Sequence, residues 1–142
     1  MPLRQEEAKL HKGHYSNLSL EEERIGKAIV NAAYVVHKEL GPGLLERVYE
    51  ACLCHVLREE GFYLMRQVEV PIVFRDLKFE EALRLDLIVE DLVICELKAL
   101  ETVNPVWEAQ LLSHLRLTKK RLGYLINFNV PLIKDGIRRM VI

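Results

Sequence analysis

The sequence predicts a mixed α/β fold, an α+β mixed sheet flanked by helices in the order ααβββαβ, and three observations predict it. Apolar residues recur at helical spacing on both sides of a Gly-Pro-Gly turn. They then alternate with polar ones from about residue 68 to 97, and return to helical spacing before a last apolar run. At 142 residues, half of them hydrophobic and 29% charged, the chain suffices for one globular core.

Residues 1–18 lack apolar periodicity and carry Gly13, Ser16 and Asn17, the composition of a flexible N-terminal arm in which His11 and His14 read as solvent-exposed. A single domain is expected over 19–142. Ser19 followed by Glu22 fits a capping box, and Ile25, Ile29, Ala32, Ala33, Val36 and Leu40 carry a first helix to Gly41 and Pro42. A second helix follows Gly43 through Leu45, Val48, Ala51, Cys52, Val56 and Leu57, and stops at Gly61. Val68, Val70, Ile72 and Phe74 make a strand in which Pro71 indicates an edge or a bulge. Two more strands run from about Ala82 to Val89 and from Leu92 to Leu97. Asn104 and Pro105 look like the N-cap and first-turn proline of a third helix reaching Thr118, and Leu122 to Phe128 reads as a buried strand. The tail from Ile133 to Ile142 carries no clear pattern.

A formal net charge of −1 supplies no global field for nucleic acid, so any such affinity must come from a local basic surface. Cys52, Cys54 and Cys95 form no CxxC and no paired framework, and they read as small core residues of a reduced protein. The polar start and the absence of a long apolar run indicate neither signal peptide nor membrane anchor, which makes the cytoplasm the default.

The informative stretch is RLDLIVEDLVICELKAL, from Arg84 to Leu100. With a two-residue turn, Leu85 would sit opposite Glu96 and both faces would mix apolar with charged groups. A three-residue connection of Glu90, Asp91 and Leu92 instead pairs Val89 with Val93, Leu87 with Cys95 and Leu85 with Leu97 on one apolar face. That register leaves Asp86 opposite Glu96 and Arg84 opposite Lys98. Two carboxylates with Cβ atoms about 5 Å apart destabilise a strand pair unless a cation joins them. Magnesium or manganese, which take hard oxygen ligands, would reverse the sign of the interaction, and Lys98 on the same face could hold a phosphate oxygen or orient water. A solvated face with salt bridges among Arg84, Asp86, Glu96 and Lys98 is the alternative reading of the same spacing.

A carboxylate on one strand and Glu-x-Lys on the next, with helices on either side, resembles the PD-(D/E)XK nuclease superfamily. The run Gly43-Leu44-Leu45-Glu46-Arg47-Val48-Tyr49 fits the pattern of the GxxExxY protein family, and the resemblance continues through EAQLLSHLRLT and GYLINFNVPLIKDGIRR, from Ile25 to Arg139. The resemblance implies an αβββαβ core with an extra N-terminal helix. It also implies a Mg2+ or Mn2+ ion held by Asp86, Glu96 and the Leu97 carbonyl, with Lys98 assisting the nucleophilic water. Glu46 resembles the additional acidic residue of such sites, although Glu50 lies one turn on and an acid at a helix N-terminus is stabilising in itself. Gln110 and His114 resemble a Gln-x-x-x-Tyr element that lines the site, with histidine where the tyrosine stands. Tyr49 reads as core, and Trp107, Cys54 and His55 as core or surface.

Two functions follow from this. One is a metal-dependent nuclease, a hydrolase acting on phosphodiester bonds of DNA or RNA, with Arg84, Lys119, Lys120, Arg121, Arg138 and Arg139 as candidate backbone contacts. The other is a non-catalytic accessory module that keeps the nuclease fold and acts through protein or nucleic-acid partners. A homodimer is implied by analogy with small nucleases.

Overall fold

A computed structural model of the chain describes residues 18–142. The arm expected over 1–18, with His11 and His14, lies outside the described residues except for Leu18, which is buried in the core.

Helix α1, Leu20–Leu40, starts on the expected capping box: the Ser19 hydroxyl accepts from the Glu22 amide at 3.0 Å and the Glu22 carboxylate from the Ser19 amide at 2.8 Å. Its buried stripe is Ile25, Ile29, Ala32, Ala33 and Val36. Gly41 (φ 70°) and Gly43 (φ 101°) then turn the chain through left-handed backbone that favours glycine, and α2 follows at Glu46–Glu59. Tyr49 fastens this turn. Its hydroxyl donates to the Gly41 carbonyl at 2.5 Å and accepts from the Leu44 amide at 3.1 Å, while its ring stacks on Phe128 at 4.6 Å. The core reading of Tyr49 is therefore the right one, with the phenol serving the loop. Tyr49→Phe keeps the stack and orphans those two bonds, so we expect a loss of about 1–2 kcal/mol in urea unfolding at an unchanged m-value.

The sheet has five strands in the order β1-β2-β3-β4-β5, with β3 and β4 parallel and the other neighbours antiparallel. They are β1 (Leu64–Phe74), β2 (Leu77–Val89), β3 (Val93–Lys98), β4 (Leu122–Asn127) and β5 (Ile137–Val141). Helix α3, Val106–Thr118, makes the crossover between β3 and β4, and a 3₁₀ turn at Ile133–Gly136 leads into β5. Core packs on both faces of the sheet. Leu87, Val89, Val93, Cys95, Leu97, Tyr124 and Ile126 meet α1 and α2, whereas Leu85, Ile88, Ile94 and Leu125 meet Trp107, Leu111 and Leu115 of α3.

Three expectations are corrected. The first two strands are much longer than expected, because polar residues at exposed positions hide the alternation of a ribbon that projects from the sheet. The patternless tail forms β5, pairing from Leu122↔Val141 to Ile126↔Ile137. Leu85 does not share a face with Leu87, since Leu85 packs under α3 while Leu87 and Leu97 pack under α1 and α2. The cause is a local irregularity. Gln67, the residue of β1 between those paired with Leu87 and Leu85, takes φ 51° and shifts both strands from one face to the other across Asp86. Pro71 sits on the edge strand and also at a register shift, so both readings of that proline hold.

Candidate active site

The three-residue connection is present: Val89 pairs with Val93 and Leu87 with Cys95, leaving Glu90, Asp91 and Leu92 between the strands. Glu90 and Asp91 both take left-handed backbone (φ 54° and 55°), which is costly for residues with a Cβ. Glu90 offsets that cost by clamping the start of β1, its amide donating to the Tyr63 carbonyl at 2.7 Å and its carboxylate accepting from the Tyr63 amide at 2.6 Å.

The β2–β3 ladder ends at Leu87 and Cys95, and beyond it the strands part. There the Asp86 carboxylate substitutes for a strand carbonyl, with Oδ2 accepting from the Leu97 amide at 2.8 Å. The resemblance assigned Leu97 a carbonyl role; what the structure adds is this amide, which spacing alone did not disclose. Asp86 meets Glu96 at the parting. Burial raises the Glu96 pKa, the His114 hydrogen bond lowers it, and the charge and hydrogen bond of Asp86 raise it again. Two carboxylates hydrogen-bond to one another only by sharing a proton, so their convergence holds like charges together in a partly dehydrated place.

Glu96 is nearly buried, and His114 Nδ1 lies 3.2 Å from its Oε2, with both side chains largely covered. A histidine read as a helix-surface imidazole is thus the partner of the central carboxylate. Its backbone carbonyl accepts from Thr118 Oγ1 at 2.7 Å, which ties the last turn of α3. Lys98, two residues beyond Glu96, reaches the same side, with Nζ 5.2 Å from the centre of the Trp107 ring. Trp107 is therefore more than core, since it seats the lysine.

Glu46 stands in the exposed first turn of α2, and its pKa is raised by burial and by Asp86 and lowered by Lys98. Glu50 is excluded from the site by its partners. Arg66 Nε donates to it at 2.9 Å and Gln67 Nε2 at 3.0 Å, so Glu50 braces the irregular residue of β1. The choice between the two acids, open in sequence, falls to Glu46. Gln110 lies exposed on α3 one turn before His114 and makes no hydrogen bond among the described residues.

Asn127 at the end of β4 fixes the segment after Lys98. Its side chain accepts from the Leu100 amide at 3.2 Å and donates to the Leu100 carbonyl at 2.9 Å, while the Phe128 amide donates to the Lys98 carbonyl at 2.9 Å.

Among the described residues, no group of three or more His, Cys, Asp or Glu side chains is gathered as a metal cluster. The strands themselves bring together two carboxylates, with Glu46 coupled by charge. An all-oxygen pair held against its own repulsion fits a hard divalent cation and not a soft one. The like-charge strain also has a consequence without metal. Because the Glu96 pKa is raised, the folded chain holds that proton more tightly than the unfolded one. This contribution to stability is complete below the ordinary value of 4.5 and is lost as pH rises through the raised value. Glu96→Gln removes the loss, so in chelator the variant should gain about 1 kcal/mol near pH 8 and nothing near pH 4 by thermal unfolding.

Of the six candidate backbone cations, five are already paired. Arg84 meets Glu69 at 3.2 Å, Lys120 Asp91 at 3.5 Å, Arg121 Glu22 at 3.0 Å, Arg138 Glu108 at 3.6 Å and Arg139 Glu23 at 3.1 Å. Lys119 has no ion pair among the described residues.

Fold and site define a class: an α/β domain that sets acidic side chains and a lysine where two strands of a mixed sheet part. The profile of the PD-(D/E)XK nuclease superfamily matches residues 23–140, and the chain belongs to that superfamily. Searches of curated proteins and of solved structures gave no match. Membership supports a nuclease-type function and implies a nucleic-acid substrate. No helix among the described residues is long and apolar enough to cross a membrane.

Proposed function

We propose that this chain is a metal-dependent nuclease, hydrolysing phosphodiester bonds of DNA or RNA with Mg2+ or Mn2+. The observation that carries the reading is the meeting of Asp86 with Glu96 beside Lys98, an arrangement that costs stability unless a cation occupies it. Asp86 and Glu96, with the Leu97 carbonyl and Glu46, would hold the ion, and His114 keeps Glu96 turned inward. When bound, the cation supplies positive charge to the phosphoryl oxygens and acidifies a water. Lys98 orients the attacking water and Gln110 borders the substrate. Membership of the GxxExxY branch is supported by the logic of its motif here: Gly43 needs its left-handed turn, Tyr49 locks that turn, and Glu46 between them senses Asp86 and Lys98. The reading places the protein in the cytoplasm.

One observation favours the second reading, a nuclease-fold accessory module without turnover: five of the six candidate phosphate contacts are spent on carboxylates of the same chain. Cleavage of single- and double-stranded DNA and RNA with Mg2+ or Mn2+ separates the two. The nuclease reading predicts cleavage by the wild type that Asp86→Ala and Lys98→Ala both abolish. Cleavage surviving both substitutions would sink the site. Cation-dependent thermal stabilisation lost in Glu96→Ala, with no cleavage of any substrate, would select the accessory module.

A further inference from the structure

We propose that the ribbon formed by the outer halves of β1 and β2 is the contact through which two copies of this chain associate. β2 pairs with β3 only over Leu87–Val89, so residues 77–86 have β1 as their sole neighbour in the sheet. A two-stranded ribbon is marginal in water unless something covers one face.

Its faces are unequal. Phe74 pairs with Leu77, and alternation places Ile72 and Phe79 on that same side, while Val73 pairs with Lys78 on the other. Phe74 is 58% exposed, Leu77 61% and Phe79 46%, values far from those of a covered core. The stripe is continuous with Val68, Val70, Leu83 and Leu85. These pack into the cluster under α3, because the register shift beyond Pro71 advances both strands by even steps and preserves the faces. Helix α3 covers the inner end and leaves the outer end bare. The bare part amounts to roughly 300–400 Å² of apolar surface, at the upper end of what a monomer exposes in one patch.

Charge selects the occupant. Residues 69–83 carry Glu69, Asp76, Glu80 and Glu81 against Arg75 and Lys78, a balance that repels a phosphate backbone. The charges are also ordered along the ribbon. Arg75 and Lys78 stand at the tip, and Glu80 and Glu81 lie behind them at the register shift. Two ribbons packed face to face about a two-fold axis bring each basic tip onto the acidic step of the other and close the two apolar stripes together. Such a surface is self-complementary, as an isologous contact must be. The Pro71 residue on the edge strand opposes the alternative of pairing edge to edge.

Sedimentation velocity of the full chain tests the proposal. The wild type should be a dimer with a dissociation constant of about 1–10 µM, and the Leu77→Glu, Phe79→Glu variant a monomer at about 100 µM with unchanged circular dichroism. Glu80→Lys with Glu81→Lys, at exposed positions that leave the core untouched, should weaken the dimer roughly tenfold, and adding Arg75→Glu with Lys78→Glu should restore it. A wild type that stays monomeric at about 100 µM, with or without an added oligonucleotide, overturns the proposal. So does a dimer that persists in the Leu77→Glu, Phe79→Glu variant, or one that ignores both charge reversals.

Discussion

Lys98→Met should lower single-turnover phosphodiester cleavage by about a thousandfold, near 4 kcal/mol, while leaving divalent-cation affinity and melting temperature close to wild type. The ammonium is only half covered, and it is held by a tryptophan face and by charge from Glu46, so little of the fold depends on it. Its methylenes can be replaced by those of methionine without opening a cavity. What disappears is a fixed positive charge two residues from Glu96, where a water and a phosphoryl oxygen have to be oriented together. Loss of cleavage with loss of cation binding would give the lysine a structural role instead. Retained cleavage would remove it from the mechanism.

Gly136→Ala should destabilise the chain by about 3 kcal/mol or more, among the larger costs of adding one methyl group. Gly136 is buried at the end of the 3₁₀ turn, and a Cβ there would overlap the backbone carbonyl oxygen of Asn127 and meet Val130 Cγ2 at 3.0 Å. Backbone cannot swing aside as a flexible side chain can. The disturbance should also travel, because Asn127 holds Leu100 and thereby the segment after Lys98. Urea unfolding measures the cost, and faster hydrogen exchange at the Leu100 amide would report the second effect. An alanine variant as stable as wild type would mean that the turn relaxes without resistance.

Much of this was legible in sequence because short-range rules governed it. The Ser19–Glu22 box, the Gly41–Gly43 turn and the three-residue connection after Val89 were each decided by neighbours in the chain, and each is present. The convergence of Asp86 and Glu96 was also readable from alternation. The supporting register was right at Val89 and Leu87 and wrong at Leu85, since one positive φ at Gln67 moves the strands between faces. No periodic pattern announces such a residue, because the energy that holds it comes from Glu50, seventeen positions away in sequence from Gln67. The contribution of His114 was hidden for the same reason. A helix residue can be assigned to a face from spacing, but its contact with Glu96 depends on how α3 lies across β3. The paired cations were likewise unreadable: Arg139 and Glu23 are 116 residues apart, and Arg121 and Glu22 are 99.

The most direct test of the central claim, that Asp86 and Glu96 converge to hold a divalent cation, is calorimetric titration of the chelator-treated chain with Mn2+. The account predicts saturable binding by the wild type, weakened at least about tenfold by Asp86→Asn and by Glu96→Gln, with Lys98→Met binding as wild type. A wild type that takes up no Mn2+, or variants that bind it as well as the wild type does, would contradict it.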